Sequence, residues 1–231
     1  MSKRNKLQKF AEIAAFQHVY ENFDPASRSL TCCGAEVAMS GRWRSEHFKN
    51  DNPITLELAC GKGEYTVGLA QMFPDRNFIG VDVKGARIWK GAGKAIELKL
   101  RNAAFLRTRI EMLGGFFAQE EIDEIWIVFP DPFPRESKAN RRLTSPQFLN
   151  IYQNILKQQG VVHLKTDDTN LYMFTLETIA SFAGARLLEH NDNIYAHELP
   201  LPELGIRTFY ERQHLAAGKT IKYVRFALGH G

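Results

Sequence analysis

The sequence predicts an α/β fold, a mostly parallel central sheet with helices on both faces. Three observations carry this. Short apolar runs recur along the chain, and amphipathic runs fall between them. One run, "EIWIVF" (124–129), is apolar on both faces, as a central parallel strand must be.

The first clear strand is "ITLELA" (54–59), where Ile54, Leu56 and Leu58 alternate with Thr55, Glu57 and Ala59. "NFIGVDV" (77–83), "AAFLRT" (103–108), "EIWIVF" and "GVVHLKT" (160–166) follow as strands. Between the last two, Phe148, Ile151, Tyr152, Ile155 and Leu156 recur at helical spacing. Ser145 and Pro146 suit the positions that open that helix, and Gly160 follows its end. "IKYVRFAL" (221–228) alternates again and can close the sheet. Residues 1–50 lack this rhythm: a helix is expected around 6–20, and "GRWRSEHFKN" reads as loop. They are expected to form an N-terminal extension that packs on the domain formed by 51–231 or contacts RNA.

At 231 residues, 44% hydrophobic and 24% charged, the chain has the composition of a soluble domain with a full core. No apolar run reaches the length a bilayer needs, so no membrane span is expected. The basic start "MSKRNKLQKF" is not followed by an apolar stretch, which argues against a signal peptide. Cys32, Cys33 and Cys60 lack zinc-ligand spacing, so no metal is expected, and a reducing cytoplasm fits their sparse use. A formal net charge of +4 is compatible with a nucleic-acid partner.

The first strand runs into "ELACGKGEYTVGLA". Ligands of open α/β sheets bind beyond the carboxyl ends of the strands. Gly61 and Gly63 allow a sharp turn and close approach of the backbone to a ligand. Two glycines alone would equally serve a plain strand-to-helix turn. A dinucleotide motif wants glycine at the sixth place of G-x-G-x-x-G, and here that place is Thr66. Glu57 lies inside the strand, and a buried carboxylate is costly unless paired. Asp82 ends the second strand, where a carboxylate can accept both hydroxyls of a ribose. Glu57 and Asp82 together favour S-adenosylmethionine, whose ammonium and sulfonium suit a buried carboxylate, over a pyrophosphate.

"WIVFPDPFPRESKANRRL" (126–143) ends its strand on Asp131, framed by Pro130, Pro132 and Pro134. Proline fixes its own φ and biases the residue before it, so this loop is stiff. Its strand is expected beside the first, which would bring Asp131 close to the cofactor. Arg135, Lys138, Arg141 and Arg142 follow; they can contact phosphates or form a solvated face. Phe133 can stack on a base or plug the core.

Taken together, "LELACGKGEYTVGLA", "FPDPFPRESKANRRL", "LKTD" and "TFYE" closely resemble the bacterial tRNA (guanine-N7-)-methyltransferases, over about residues 50–228. That family shows a "PDPW-x-K…KRRL" block, a "K-T-D" and a late "T-x-Y/F-E". The resemblance implies a Rossmann-like class I methyltransferase fold, S-adenosyl-L-methionine as cofactor and tRNA as partner. The target it implies is guanine N7 in the variable loop. It assigns Glu57, Gly61, Gly63 and Asp82 to the cofactor, with Asn102, Ala103 and Thr108 at the adenine. It makes Asp131 the acidic residue expected to be central to catalysis and near the cofactor. It implies that Arg135, Asp167, Thr208, Phe209, Tyr210 and Glu211 contact the substrate, while by their charge Lys138, Arg141 and Arg142 are expected to meet the RNA backbone. The division of roles between Asp131 and Asp167 stays open, and Asp167 or Asp168 can instead cap the helix that follows. The sequence departs from the family at four places: Asp82 stands for glutamate, Phe133 for tryptophan, Arg135 for lysine and Thr108 for aspartate. A monomer or homodimer is expected. A methyltransferase for small molecules or proteins would not need the basic tail, and a non-catalytic RNA binder would show no turnover.

Overall fold

The predicted strands form where the apolar runs lie. In the computed structural model, which describes residues 4–229, the chain divides into two compact units, Met1–Ala118 and Gln119–Gly231. Residues 1–3 of the basic start and the last two residues of the 51–231 domain lie outside the described set.

The first unit contains α1 (Lys6–Ile13), β1 (Val19–Glu21), β2 (Leu30–Cys32), β3 (Ala35–Val37), β4 (Ile54–Leu58), α2 (Glu64–Met72), β5 (Asn77–Asp82), α3 (Gly85–Glu97) and β6 (Ala103–Arg107). Its strands lie in the order β3-β2-β1-β6-β5-β4. The pairs β4/β5, β5/β6 and β1/β6 are parallel, and the hairpin strands β1, β2 and β3 are antiparallel. Every residue of β4 and of β5 is buried. The register sets Glu57 opposite Gly80 and Asp82 opposite Arg107.

Residues before 50 carry more structure than their pattern announced. The expected helix around 6–20 stops at Ile13, and Val19–Glu21 instead pairs with β6, burying Val19 and Tyr20. Asn5 opens α1 with a reciprocal cap: its side chain accepts from Gln8 N at 2.9 Å, and the Gln8 side chain accepts from Asn5 N at 2.9 Å. The expected loop "GRWRSEHFKN" contains a π-helical turn, Trp43–Phe48. Trp43 is fully buried, donates from Nε1 to the Phe116 carbonyl at 2.9 Å and stacks on Phe117. A tryptophan with its one donor satisfied is core, so this segment plugs the unit.

The second unit contains β7 (Ile122–Val128), α4 (Pro146–Ile155), β8 (Leu156–Thr166), α5 (Thr169–Ser181), β9 (Ala185–Asn191), α6 (Phe209–Ala216) and β10 (Lys222–Leu228). Its strand order is β7-β8-β10-β9, with β7/β8 parallel and the other two pairs antiparallel. Trp126 of β7 stacks on His163 of β8 with centroids 4.0 Å apart, at the centre of this core. Helix α4 ends earlier than its periodicity implied. Leu156 pairs with Ile122 and starts β8, so the ladder takes the residues before Gly160. Pro146 opens α4 as expected, but the Ser145 hydroxyl donates to the Asn140 carbonyl at 2.9 Å instead of capping the helix. No helix among the described residues is long and apolar enough to cross a membrane.

Candidate active site

In the first unit, residues 59–63 form a turn with alternate left-handed residues: Ala59, Gly61 and Gly63 have φ of 55°, 56° and 64°. The two glycines are needed for different reasons. A Cβ on Gly61 would have only the Ala59 carbonyl oxygen within reach, at 4.0 Å, so its backbone conformation alone favours glycine. A Cβ on Gly63 would lie 2.6 Å from the Phe105 ring and 3.3 Å from Gly91, so packing excludes any side chain there.

Gly63 precedes α2 and offers no capping side chain. Glu57 supplies the cap from the neighbouring strand. Its Oε2 accepts from Thr66 N at 2.7 Å and, in a shorter bond, from the Thr66 hydroxyl. Glu57 is 4% exposed, and burial pushes its carboxyl up to about 8 against the two Thr66 bonds. Gly80 makes room for this pair, since a Cβ there would sit 2.6 Å from Thr66 Oγ1. At the end of β5, Asp82 Oδ2 accepts from Gly61 N at 2.8 Å and Oδ1 from Lys84 N at 2.7 Å. Backbone donors thus hold both Asp82 oxygens, which keep lone pairs for a ligand.

The sequence grouped Asn102 and Ala103 with Thr108 at the adenine; the structure does not bring them together. Asn102 and Ala103 stand at the amino end of β6 and Thr108 beyond its carboxyl end. The Asn102 amide is committed to the carbonyls of Ala70, Phe73 and Arg76 at 3.0, 3.1 and 2.9 Å, closing the end of α2. Ala103 is buried and pairs with Phe78. Thr108 is fully buried, its hydroxyl 3.7 Å from Met112 Sδ.

In the second unit, β7 ends at Phe129, whose N–H donates to the Lys165 carbonyl at 2.8 Å. Phe129 and Phe133 adopt left-handed φ of 47° and 43° around the proline-framed stretch. Asp131 is exposed and has no hydrogen-bond or ion-pair partner among the described residues. Phe133 neither stands free nor fills the core; it is half-buried beneath Arg141, whose guanidinium lies 4.9 Å from the ring centroid. Arg135, Lys138 and Arg141 are exposed.

Arg142 corrects the expectation of a phosphate contact. It is 4% exposed and donates to the carbonyls of Pro132 and Phe133 at 3.3 and 3.2 Å, with Glu136 at 3.3 Å and its guanidinium over Phe174. These bonds brace the Asp131 loop from within.

Asp167 follows β8 and is held by α6 and the turn after it: Lys219 donates to its Oδ2 at 2.5 Å, and His214 Nδ1 lies 3.3 Å from the same oxygen. The neighbouring Asp168 caps α5, accepting from Leu171 N at 2.7 Å. The "TFYE" string opens α6 as a capping box. Thr208 Oγ1 accepts from Glu211 N at 3.2 Å, and Glu211 Oε2 accepts from Thr208 N at 3.3 Å. Phe209 and Tyr210 are 40% and 42% exposed. Glu211 is fully buried and paired with Lys165, so it does not stand beside them as a surface contact. Lys165, which the sequence reading did not single out, is also fully buried, and burial pulls its ammonium down to about 8 although Glu211 raises it.

Comparison with known proteins places this geometry. Residues 51–224 match a family model described as "Putative methyltransferase". The chain is 47% identical over 229 residues to the tRNA (guanine-N(7)-)-methyltransferase of Christiangramia forsetii, covering 99% of this chain and 100% of that one. It is 49% identical over 192 residues to the enzyme of the same name from Porphyromonas gingivalis, covering 83% and 78%.

The chain belongs to the tRNA (guanine-N(7)-)-methyltransferase family.

As a member of that family it is an enzyme, a methyltransferase that takes its methyl group from S-adenosylmethionine. Solved structures agree on the fold. The 16S rRNA methyltransferase KamB aligns with a TM-score of 0.61 at 15% identity, over 84% of this chain and 96% of that one. A 16S rRNA (adenine(1408)-N(1))-methyltransferase from Catenulisporales acidiphilia aligns with a TM-score of 0.61 at 13% identity, over 85% and 94%. The enzyme therefore has the class I methyltransferase fold read from its strand pattern.

Proposed function

We propose that the enzyme methylates N7 of a guanine in the variable loop of tRNA, giving 7-methylguanosine. The observation that carries this reading is the conjunction of near full-length identity to tRNA (guanine-N(7)-)-methyltransferases with two carboxylates, Glu57 and Asp82, at the ends of neighbouring strands. Residues 51–231 carry the activity, the segment 1–50 packs on them, and the enzyme works in the cytoplasm.

The residues present fit the cofactor. Glu57 is a buried carboxylate with both its bonds on Oε2, while Oε1 has no partner among the described residues. A cation placed there compensates a charge that is otherwise costly to bury. Asp82 suits the ribose hydroxyls, whereas Thr108, fully buried against Met112, is not open to the adenine. When bound, S-adenosylmethionine supplies a methyl group on a sulfonium that a lone pair can displace in line.

Guanine N7 has such a lone pair and no proton, so no residue must act as a base. Asp131 is a positioner. Its free carboxylate accepts from N1–H and N2–H, a donor pair adenine lacks, and opposes the positive charge growing on the ring. Asp167 is the weaker candidate because Lys219 and His214 already engage it. Arg135, Lys138 and Arg141 hold the RNA backbone, and Phe209 and Tyr210 offer rings to the nucleoside.

The test is to incubate the protein with unmodified tRNA and labelled S-adenosylmethionine and identify the modified nucleoside. Labelled 7-methylguanosine is expected; label in any other nucleoside, or none, removes the reading.

A further inference from the structure

Lys165 and Glu211 form a closed buried network. The Lys165 ammonium lies 2.7 Å from Glu211 Oε1 and donates to Glu211 Oε2 at 2.9 Å, and to the carbonyls of Leu204 and Ile206 at 2.8 and 3.2 Å. The Tyr195 hydroxyl donates to Glu211 Oε1 at 2.6 Å. Both charged side chains are wholly shielded from solvent. Replacing a buried ion pair by apolar groups of similar size is often neutral or stabilising, so stability alone is a poor account of the pair. An ion pair saturated with directional bonds has one low-energy arrangement, which a greasy plug does not enforce.

The elements it joins are those that carry the proposed substrate contacts. Through its carbonyl, Lys165 holds Phe129 N, one residue before Pro130 and two before Asp131. Through its ammonium it holds Glu211, the third residue of α6, directly after Phe209 and Tyr210. The Phe129 ring also stacks on His214 of the same helix, and Asp167, two residues beyond Lys165, is tied to His214 and Lys219. One residue at the end of β8 thus fixes the root of the Asp131 loop with its backbone and the first turn of α6 with its side chain.

We infer that Lys165 and Glu211 are positioning residues: their buried pair locks the Asp131 loop and the Phe209–Tyr210 turn into the single arrangement that receives the guanosine. This rests on the reading that Asp131 and α6 meet the substrate. Neither residue touches substrate; the sequence placed Glu211 among the substrate contacts because it belongs to the same short motif.

The test is single-turnover methylation of unmodified tRNA at saturating enzyme and S-adenosylmethionine, beside thermal unfolding and calorimetric affinity for adenosylhomocysteine. Glu211→Gln and Lys165→Met each strand a buried partner and lower the unfolding temperature. The double variant Lys165→Met/Glu211→Gln removes both charges, while the glutamine oxygen still accepts from Thr208 N. We expect it to recover most of the lost unfolding temperature, to bind adenosylhomocysteine within about twofold of the parent, and yet to react roughly tenfold or more slowly. A double variant as stable and as fast as the parent shows that the pair only stabilises, and overturns the inference. If the double variant does not fold, Tyr195→Phe is read in the same assay. It deletes one bond to Glu211 and leaves the charges paired; a rate about threefold down is expected, and an unchanged rate overturns the inference. A parent protein that forms no 7-methylguanosine removes the underlying reading, whereas an active parent with a fully active double variant removes this inference alone.

Discussion

Thr66 directs both its backbone N–H and its hydroxyl at one oxygen of Glu57. The residue that breaks the dinucleotide pattern is therefore the one that holds the buried carboxyl group of Glu57. A glycine at 66 would give α2 its N–H but not the hydroxyl, and the buried acid would keep one donor instead of two. Even with both, burial holds the Glu57 carboxyl up at about 8, so at neutral pH it is mostly protonated in the free protein.

Cofactor binding should then release a proton. A cationic ligand favours the carboxylate, so affinity should tighten as pH rises towards about 8. Calorimetry at pH 7 in two buffers of different ionisation enthalpy should report proton release that Glu57→Gln abolishes, along with an affinity loss of about tenfold. Identical apparent enthalpies in the two buffers would exclude this coupling. The sign for folding is opposite to that of a salt-bridged acid. A raised folded pKa contributes stability that is full below the ordinary glutamate value of 4.5 and lost as pH rises through about 8. Without cofactor, the stability of the parent relative to Glu57→Gln should accordingly fall across that window.

The glycines of the turn should separate in cost. Gly61→Ala places a side chain in the left-handed region with open space around it, at about 1 kcal/mol. Gly63→Ala adds a clash with Phe105 and Gly91 and should cost roughly 3 kcal/mol in all. Denaturant midpoints of the two variants test this; equal losses would mean that Phe105 moves aside freely.

Much of the fold was legible because its strands are short, apolar and separated by helical periodicity. The place of Glu57 inside one strand and of Asp82 at the end of the next followed from that alone. Strand β9, "ARLLEHN", was not legible: it is largely exposed or half-buried and shows no clean alternation. Strand β1 is three residues long and is defined by its partner β6 rather than by its own sequence. At the site, residue type could not say which way a side chain points. Arg141 and Arg142 are adjacent arginines with opposite fates, one lying over Phe133 on the surface and one turned inward to the loop carbonyls. Glu211 and Lys165 lie in separate motifs, and only the fold shows that they are partners.

Those two arginines should behave differently when replaced singly. Arg142→Ala leaves loop carbonyls unpaired and should destabilise the protein by about 2 kcal/mol. Its effect on the salt dependence of tRNA binding should be small. Arg141→Ala should leave stability within about 0.5 kcal/mol and flatten the slope of log affinity against log salt by about one. Binding isotherms at several salt concentrations, beside unfolding curves, decide it. A flattened slope for Arg142→Ala with unchanged stability would return that residue to the RNA.

Asp131 gives the sharpest test. It is exposed, unpartnered among the described residues, and carried by a loop braced by Arg142 and rooted on Lys165. Because nothing in its own unit uses the carboxylate, its removal should not disturb folding, and the unfolding temperature of Asp131→Asn should match the parent. Most tRNA affinity should come from backbone contacts elsewhere, so binding should change little. A contact that strengthens as positive charge grows on the guanine appears in turnover instead. Asparagine keeps the shape and one acceptor but sets its amide against the second base donor. Single-turnover rates at saturating tRNA and cofactor should fall by about a hundredfold in Asp131→Asn, and at least as far in Asp131→Ala. Near-parental rates in both folded variants would leave the proline-framed loop as scaffold and shift the positioning role to Asp167, whose carboxylate would have to exchange Lys219 for the base.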